Sequence, residues 1–133
     1  FVHIIAESIA KNRPVPIHGE GKEIREWLWV EDNCSAIDTV LQKGEKGQAY
    51  NISSHQELSN RALSELAISA YGGSIEYTPN RPGNDRRYSI ETQKIEDLGW
   101  KPYAVGDNFK IVMLDTIKYY LDKHARKNNP TTT

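Results

Sequence analysis

The chain has 133 residues, enough for one domain with a real core, and sets 17 Lys and Arg against 18 Asp and Glu for a formal net charge of -1. That balance leaves no global basic field and argues against a general nucleic-acid binder. No apolar stretch approaches a membrane span, no secretory h-region is visible, and the single Cys34 cannot close an internal disulfide, so the expectation is a cytoplasmic protein away from membranes.

The chain opens on Phe1 inside an apolar periodic segment, and its one methionine is Met113. A natural start needs a methionine, so the expectation is the C-terminal piece of something longer. Val2, Ile5, Ala6 and Ile9 recur at helical spacing and predict an amphipathic helix. Pro14 and Pro16 end it and begin an extended stretch through Val15-Pro16-Ile17-His18, after which Gly19-Glu20-Gly21 turns the chain. Residues 25–30 suit a short strand with Arg25, Trp27 and Trp29 on one face. Glu31-Asp32-Asn33 supplies capping side chains for a helix whose apolar stripe is Val30, Cys34, Ile37 and Leu41, which makes Cys34 an inert core thiol.

Residues 48–53 read as a strand, and Ser59 or Asn60 caps a helix carrying Leu63, Leu66, Ala67 and Ala70 that stops at Gly72-Gly73. Ile75 and Tyr77 mark a further strand. Thr92 starts a short helix closed by Gly99, and Asp107 caps a final helix with Phe109, Val112, Met113, Ile117, Tyr120 and Leu121 on one face. Tyr119 and Tyr120 read as partial core. From Arg126 the composition turns polar, so the expected division is one region over residues 1–125 and a frayed tail over 126–133. Strands alternate with helices, and the class is α/β.

Chemistry concentrates in the run Arg81-Pro82-Gly83-Asn84-Asp85-Arg86-Arg87-Tyr88. Proline and glycine force a turn, Asn84 and Asp85 can close it with side-chain hydrogen bonds, and three guanidinium groups on it match bidentate oxyanions. The run is either an anion site on a stiff turn or an exposed loop with solvated arginines. Arg25, beside two tryptophans, needs a partner for its charge: a charged ligand, or a core carboxylate such as Asp32 or Asp38. The glycines at 19 and 21 have the wrong spacing for a dinucleotide fingerprint, and no Lys-Ser/Thr follows. His3, His18, His55 and His124 show no metal-ligand spacing. Trp27 and Trp29 read as packing residues, and Asn60 can serve as a helix cap.

Taken in order, Pro16-Ile17-His18-Gly19-Glu20-Gly21, Ile24-Arg25-Glu26-Trp27, Val30-Glu31-Asp32, Tyr50-Asn51-Ile52, the 81–88 run and Leu98-Gly99-Trp100-Lys101-Pro102 resemble the C-terminal portion of the extended short-chain dehydrogenase/reductase enzymes that act on nucleotide sugars. Within them the wording of the 81–88 run is most similar to the dTDP-glucose 4,6-dehydratases. The resemblance covers Phe1 to about Leu121. It implies a substrate-binding portion with elements that complete the edge of a Rossmann-type sheet otherwise absent. It further implies that Pro16, Ile17, His18, Arg25, Asn60, Arg81, Pro82, Gly83, Asn84 and Asp85 line a nucleotide-sugar site, with Arg25 and Arg81 on the diphosphate and Asn60 helping to place the nucleotide. The family reaction is an internal redox cycle on bound NAD that yields a 4-keto-6-deoxy nucleotide sugar.

In the family, the NAD loop, the Tyr-x-x-x-Lys pair and the acidic dehydration residues lie N-terminal to the region matched. The resemblance therefore implies NAD held by a missing N-terminal half, no catalytic residue in this chain, and an inactive piece of a lyase whose parent is a homodimer. The chain's partners are then a nucleotide-diphosphate sugar and that Rossmann half, whose absence is expected to expose Val2, Ile5 and Ile9 and to promote association. His18 stands where the family commonly has tyrosine and Asn84 where the dTDP enzymes commonly have histidine. Both choices are closer to relatives using UDP-glucose, so the base is open between thymidine and uridine. Another nucleotide-sugar epimerase or dehydratase, a non-catalytic nucleoside-diphosphate-binding module and an acidic-protein-binding domain are the other readings.

Overall fold

Val15 and Ile17, both essentially fully buried, alternate with the partly or fully exposed Pro16 and His18, and this period of two sets the first strand into the core. The computed structural model describes residues 1–128. Its elements are α1 (Val2–Ala10), β1 (Val15–His18), β2 (Ile24–Glu26), α2 (Val30–Lys43), β3 (Glu57–Ser59), α3 (Asn60–Tyr71), β4 (Ile75–Thr78), α4 (Gln93–Glu96) and α5 (Gly106–Asn128). β1 pairs in parallel with β4, Val15 opposite Ile75 and His18 opposite Thr78, and β2 pairs antiparallel with β3, Ile24 opposite Ser59. The fold is α/β with two small sheets.

The main core is helical. Ile5 and Ala6 of α1, Leu63 and Ala67 of α3, and Phe109, Met113 and Ile117 of α5 close around Val15. Val2 and Ile9 pack against the same cluster, so the stripe expected to lie exposed on α1 is part of the core instead. α5 supplies the cover, because its buried residues recur every four positions along the face it turns to α1. Tyr120 packs on this core, whereas Tyr119 is exposed. Ser59 caps α3, its hydroxyl accepting from the Ala62 N–H at 3.1 Å, and Gly72 at φ +79° ends that helix in a conformation that L side chains rarely adopt.

Several further expectations fail here. The strand over residues 25–30 is cut to β2, because the chain enters α2 at Val30 with Trp29 as N-cap. Residues 48–53 form no ladder with any described segment; Tyr50 and Ile52 pack instead on a second cluster of Ala36, Ile95 and Trp100. The stripe of α2 faces outward: Val30, Ile37 and Leu41 are 66%, 47% and 80% exposed, and Cys34 is exposed, not a core thiol. What α2 buries is Asp32 and Ala36. Asp107, likewise, is the second residue of α5 rather than the residue before it. α5 itself runs on to Asn128, past Arg126 where the tail was expected, and residues 129–133 of that tail lie outside the described residues.

Asp32 is 3% exposed and ties α2 to the segment before α5: its Oδ1 accepts from the Tyr103 N–H and its Oδ2 from the Ala104 N–H, both at 2.8 Å. The cap expected of this residue is therefore spent on a tertiary bond rather than on its own helix. Replacing it with alanine strands two amide donors, and each buried donor left unpaired costs about 1–3 kcal/mol. We expect Asp32→Ala to lower unfolding free energy by about 3 kcal/mol in urea titration. A change under about 1 kcal/mol would show that water replaces the carboxylate.

Candidate anion-binding cleft

The cleft is assembled on the two edges of β2. On one side Ile24 is paired with Ser59; on the other its N–H donates to the Arg86 carbonyl at 3.0 Å, and an isolated parallel bridge joins it to Arg87. The run that leaves β4 is thereby folded back beside β2. Its turn is closed by the Asn84 N–H donating to the Arg81 carbonyl at 3.3 Å, with Gly83 at φ +71° in the position where such a turn requires positive φ. Asn60 opens α3, and its N–H donates to the Glu23 carbonyl at 3.2 Å, which fixes that helix start against the entry to β2.

These constraints bring β1, β2, the start of α3 and the turn around one cleft of about 440 Å³. Pro16, Ile17, His18, Arg25, Asn60, Arg81, Gly83, Asn84 and Asp85 all line it, whereas Pro82 is exposed and does not. Phe1, Ile4, Trp27 and Tyr88 complete the wall. Tyr88 belongs to the run, but its role follows from a fold-back that no local pattern shows. Trp27 was expected only to pack; it does pack on the core, donates Nε1–H to the Leu58 carbonyl at 3.1 Å, and lines the cleft as well.

The arginines divide. Arg87 is neutralised by Glu57 at 2.6 Å, a pairing that raises its pKa, and Arg86 does not line the cleft, so the run contributes one guanidinium to it rather than three. Arg81 has no side-chain partner among the described residues. Arg25 meets neither carboxylate considered for it, since Asp32 accepts from backbone amides and Asp38 from Gln42. It is held by neutral groups: Nη1 donates to its own Ile24 carbonyl at 2.8 Å, Nη2 donates to Asn84 Oδ1 at 3.2 Å, and its guanidinium lies 4.5 Å from the Tyr88 ring centroid. Asp85 is the one carboxylate in the lining, and it accepts the Tyr88 hydroxyl, which raises the phenol's pKa. Two guanidiniums against one carboxylate leave the cleft cationic.

His18 adds a directed acceptor. Its Nδ1 lies 3.0 Å from Thr78 Oγ1 and 3.3 Å from the Pro79 carbonyl, and a carbonyl can only accept. In the neutral ring Nδ1 therefore carries the hydrogen and Nε2 keeps its lone pair. A larger cleft of about 570 Å³ lies between α5 and residues 27–31, walled mainly by apolar side chains with Glu31 and Asp115 and lined by no Lys or Arg, which makes it the poorer candidate for an anion.

The sequence profile of the GDP-mannose 4,6 dehydratase family matches residues 1–108. The chain belongs to this family. Among relatives, it is 46% identical over 96 residues to the low-salt glycan biosynthesis protein Agl12 of Haloferax volcanii, across 70% of this chain and 31% of that protein. It is 35% identical over 140 residues to the dTDP-glucose 4,6-dehydratase of Salmonella typhimurium, across 97% of this chain and 38% of that enzyme. The fold matches the dTDP-glucose 4,6-dehydratase of Bacillus anthracis, solved in complex with NAD, with a TM-score of 0.81 at 33% identity over 91% of this chain and 39% of that one. It also matches the UDP-glucose 4-epimerase of Thermotoga maritima, solved with UDP-glucose, with a TM-score of 0.80 at 25% identity over 92% and 39%. The resemblance to the 4,6-dehydratases is thus borne out, and the chain spans about a third of the length of the curated relatives it matches. No helix among the described residues is long and apolar enough to cross a membrane.

Next to Arg25 in β2 stands a carboxylate that ties the strand to two loops. The Glu26 side chain is only 10% exposed. Burial pushes its pKa up, but hydrogen bonds from Ser53, from Ser89 at 3.1 Å and from His55 at 3.4 Å outweigh that and hold it below the usual carboxylate value. A carboxyl lowered on folding contributes stability above its unfolded pKa, and that contribution is lost as pH falls through the folded value. We expect unfolding free energy to decline with acid below about pH 4.5, and Glu26→Gln to flatten that limb while lowering stability at neutral pH. Thermal scans between neutral and acidic pH check this; an unchanged acid limb in the variant would count against it.

Proposed function

We propose that this chain is the nucleotide-sugar-binding part of an NAD-dependent nucleotide-sugar 4,6-dehydratase, of the kind that converts dTDP-glucose to dTDP-4-keto-6-deoxy-glucose. The observation that carries the reading is that Arg25 and Arg81, from segments more than fifty positions apart in the sequence, line one cleft with no carboxylate among the described residues bonded to either guanidinium. A diphosphate offers two phosphoryl groups, and one planar fork cannot satisfy both. Asn60 and His18 beside them supply an amide and a lone pair for the sugar or the base. The family match and the UDP-glucose in the matched epimerase support the same ligand class.

The expected outcome of calorimetry on the full-length protein is binding of dTDP or UDP that weakens about tenfold or more in Arg25→Ala and in Arg81→Ala. The stronger of the two nucleotides identifies the base. Binding that survives both substitutions would remove the reading and favour a protein-interaction role for the arginines.

Catalysis in this reading belongs to residues outside the chain. The residues present do not fit a dinucleotide: a Cβ on Gly21 would meet Ile17 Cγ2 at 2.5 Å and Arg61 Cβ at 3.0 Å, so that glycine is needed for packing and not for a phosphate cradle. NAD is then held by the N-terminal part of the parent. Two features support a covering partner there: the exposed apolar face of α2, and residues 48–53, whose composition suits a strand and which have no ladder partner among the described residues. We expect the 133-residue chain purified alone to form no 4-keto sugar from dTDP-glucose and NAD, and to associate in light scattering. Leu41→Lys should reduce that association. Product formation by the isolated chain would remove the assignment of catalysis to the other part.

A further inference from the structure

One side chain outside the cleft lining bonds directly to Arg81 and, through Asn84, reaches Arg25. Asn80 sits between β4 and the arginine turn, and its Oδ1 accepts twice: from the Arg81 N–H at 2.9 Å and from Asn84 Nδ2 at 3.3 Å. The second bond fixes which way the Asn84 amide points, with its nitrogen toward Asn80 and its oxygen toward Arg25 Nη2. The other side of Asn80 is set by Gly19, at φ +57°, where a Cβ would come within 3.1 Å of Asn80 Cγ. The glycine of the first motif therefore makes room for the residue that orders the second.

We infer that Asn80 is a positioning residue for the anion clamp, aligning Arg81 through its backbone and Arg25 through the Asn84 amide. This rests on the proposed diphosphate site. Amides suit the task for an electrostatic reason. Orienting a guanidinium with a carboxylate neutralises it, as Glu57 does to Arg87, whereas orienting it with amide oxygens leaves its charge for the ligand. Once Asn80 is truncated, Asn84 loses the bond that fixes its amide and can turn its own NH₂ toward Arg25, where it repels instead of accepts. The entry of the arginine turn loses its side-chain tie at the same time.

The test compares nucleoside diphosphates with their monophosphates, UDP with UMP and dTDP with dTMP, by calorimetry on the full-length protein. A clamp built for two phosphoryl groups that loses its alignment should lose affinity for the diphosphate specifically. Asn80→Ala is expected to weaken diphosphate binding about tenfold, the equivalent of one charge-assisted hydrogen bond, while monophosphate binding changes less than about threefold and the thermal midpoint is retained. Equal weakening of mono- and diphosphates, or no weakening at all, would overturn the positioning role. Arg25→Ala is the control. If it abolishes diphosphate binding while Asn80→Ala behaves as wild type, the clamp stands and only the positioning role falls. If the wild-type protein binds no nucleoside diphosphate, both fall.

Discussion

The candidate site depends on the two edges of one short strand. β2 is laddered to β3 on one edge, and on the other the Ile24 N–H donates to the carbonyl of Arg86; through those contacts three stretches remote in sequence become neighbours. A three-residue strand has little stability of its own. β2 persists because Trp27, immediately after it, and Leu58, opposite Arg25, pack against the helical core. The order of causes runs from the α1–α3–α5 core to two apolar anchors, then to a short ladder, then to the placement of Arg25 beside the arginine turn. A lesion in the core at Ile5 or Ile117 would reach the anion cleft along that route, without any contact to it.

Charge is distributed in the cleft by what is withheld as much as by what is supplied. The surface pairs of this chain, such as Arg61 with Glu65 and Lys118 with Asp122, are exposed four-apart helix contacts that contribute little to stability. Arg25 differs: it is partly buried, it is orientated, and its partners are a carbonyl, an amide and an aromatic face. Desolvating a cation this way costs free energy that the unliganded protein does not recover by pairing. An incoming oxyanion recovers it, so the same feature that burdens folding favours binding. Asp85, turned to the Tyr88 hydroxyl, keeps its one negative charge engaged within the run.

Local pattern made much of this legible. The alternation in Val15-Pro16-Ile17-His18, the cap at Ser59, the stop at Gly72 and the turn at Pro82-Gly83 each follow from a residue's own backbone chemistry, and each lies where it was expected. The residues expected at the site from motif wording, Pro82 apart, line one cleft. Asn80 and Tyr88 were not legible that way, because their parts are defined by what the fold-back brings near them. The strand over residues 48–53 failed for a related reason: β character is a property of a pair, and its residues have composition for a strand but no neighbour to bond. The partner proposed for Arg25 failed because proximity in sequence to Asp32 says nothing about which way a buried carboxylate is spent.

α2 shows where periodicity stops being informative. Its apolar and polar stripes are both real, and the inference that the apolar one faces inward is ordinarily sound. Here the inward face is held by Asp32, bonded to two backbone amides, and by Ala36 in the second cluster, while the exposed Ser35 accepts from Trp100 Nε1–H at 2.9 Å. Asp32 is inside because the 100–104 segment presents polar N–H groups that need acceptors. Val30, Ile37 and Leu41 are left outside. Burying three such side chains is worth about 1.5–3 kcal/mol each, which is comparable to the stability of a marginal domain. α2 thus carries its specific polar bonds on one face and its unburied apolar surface on the other.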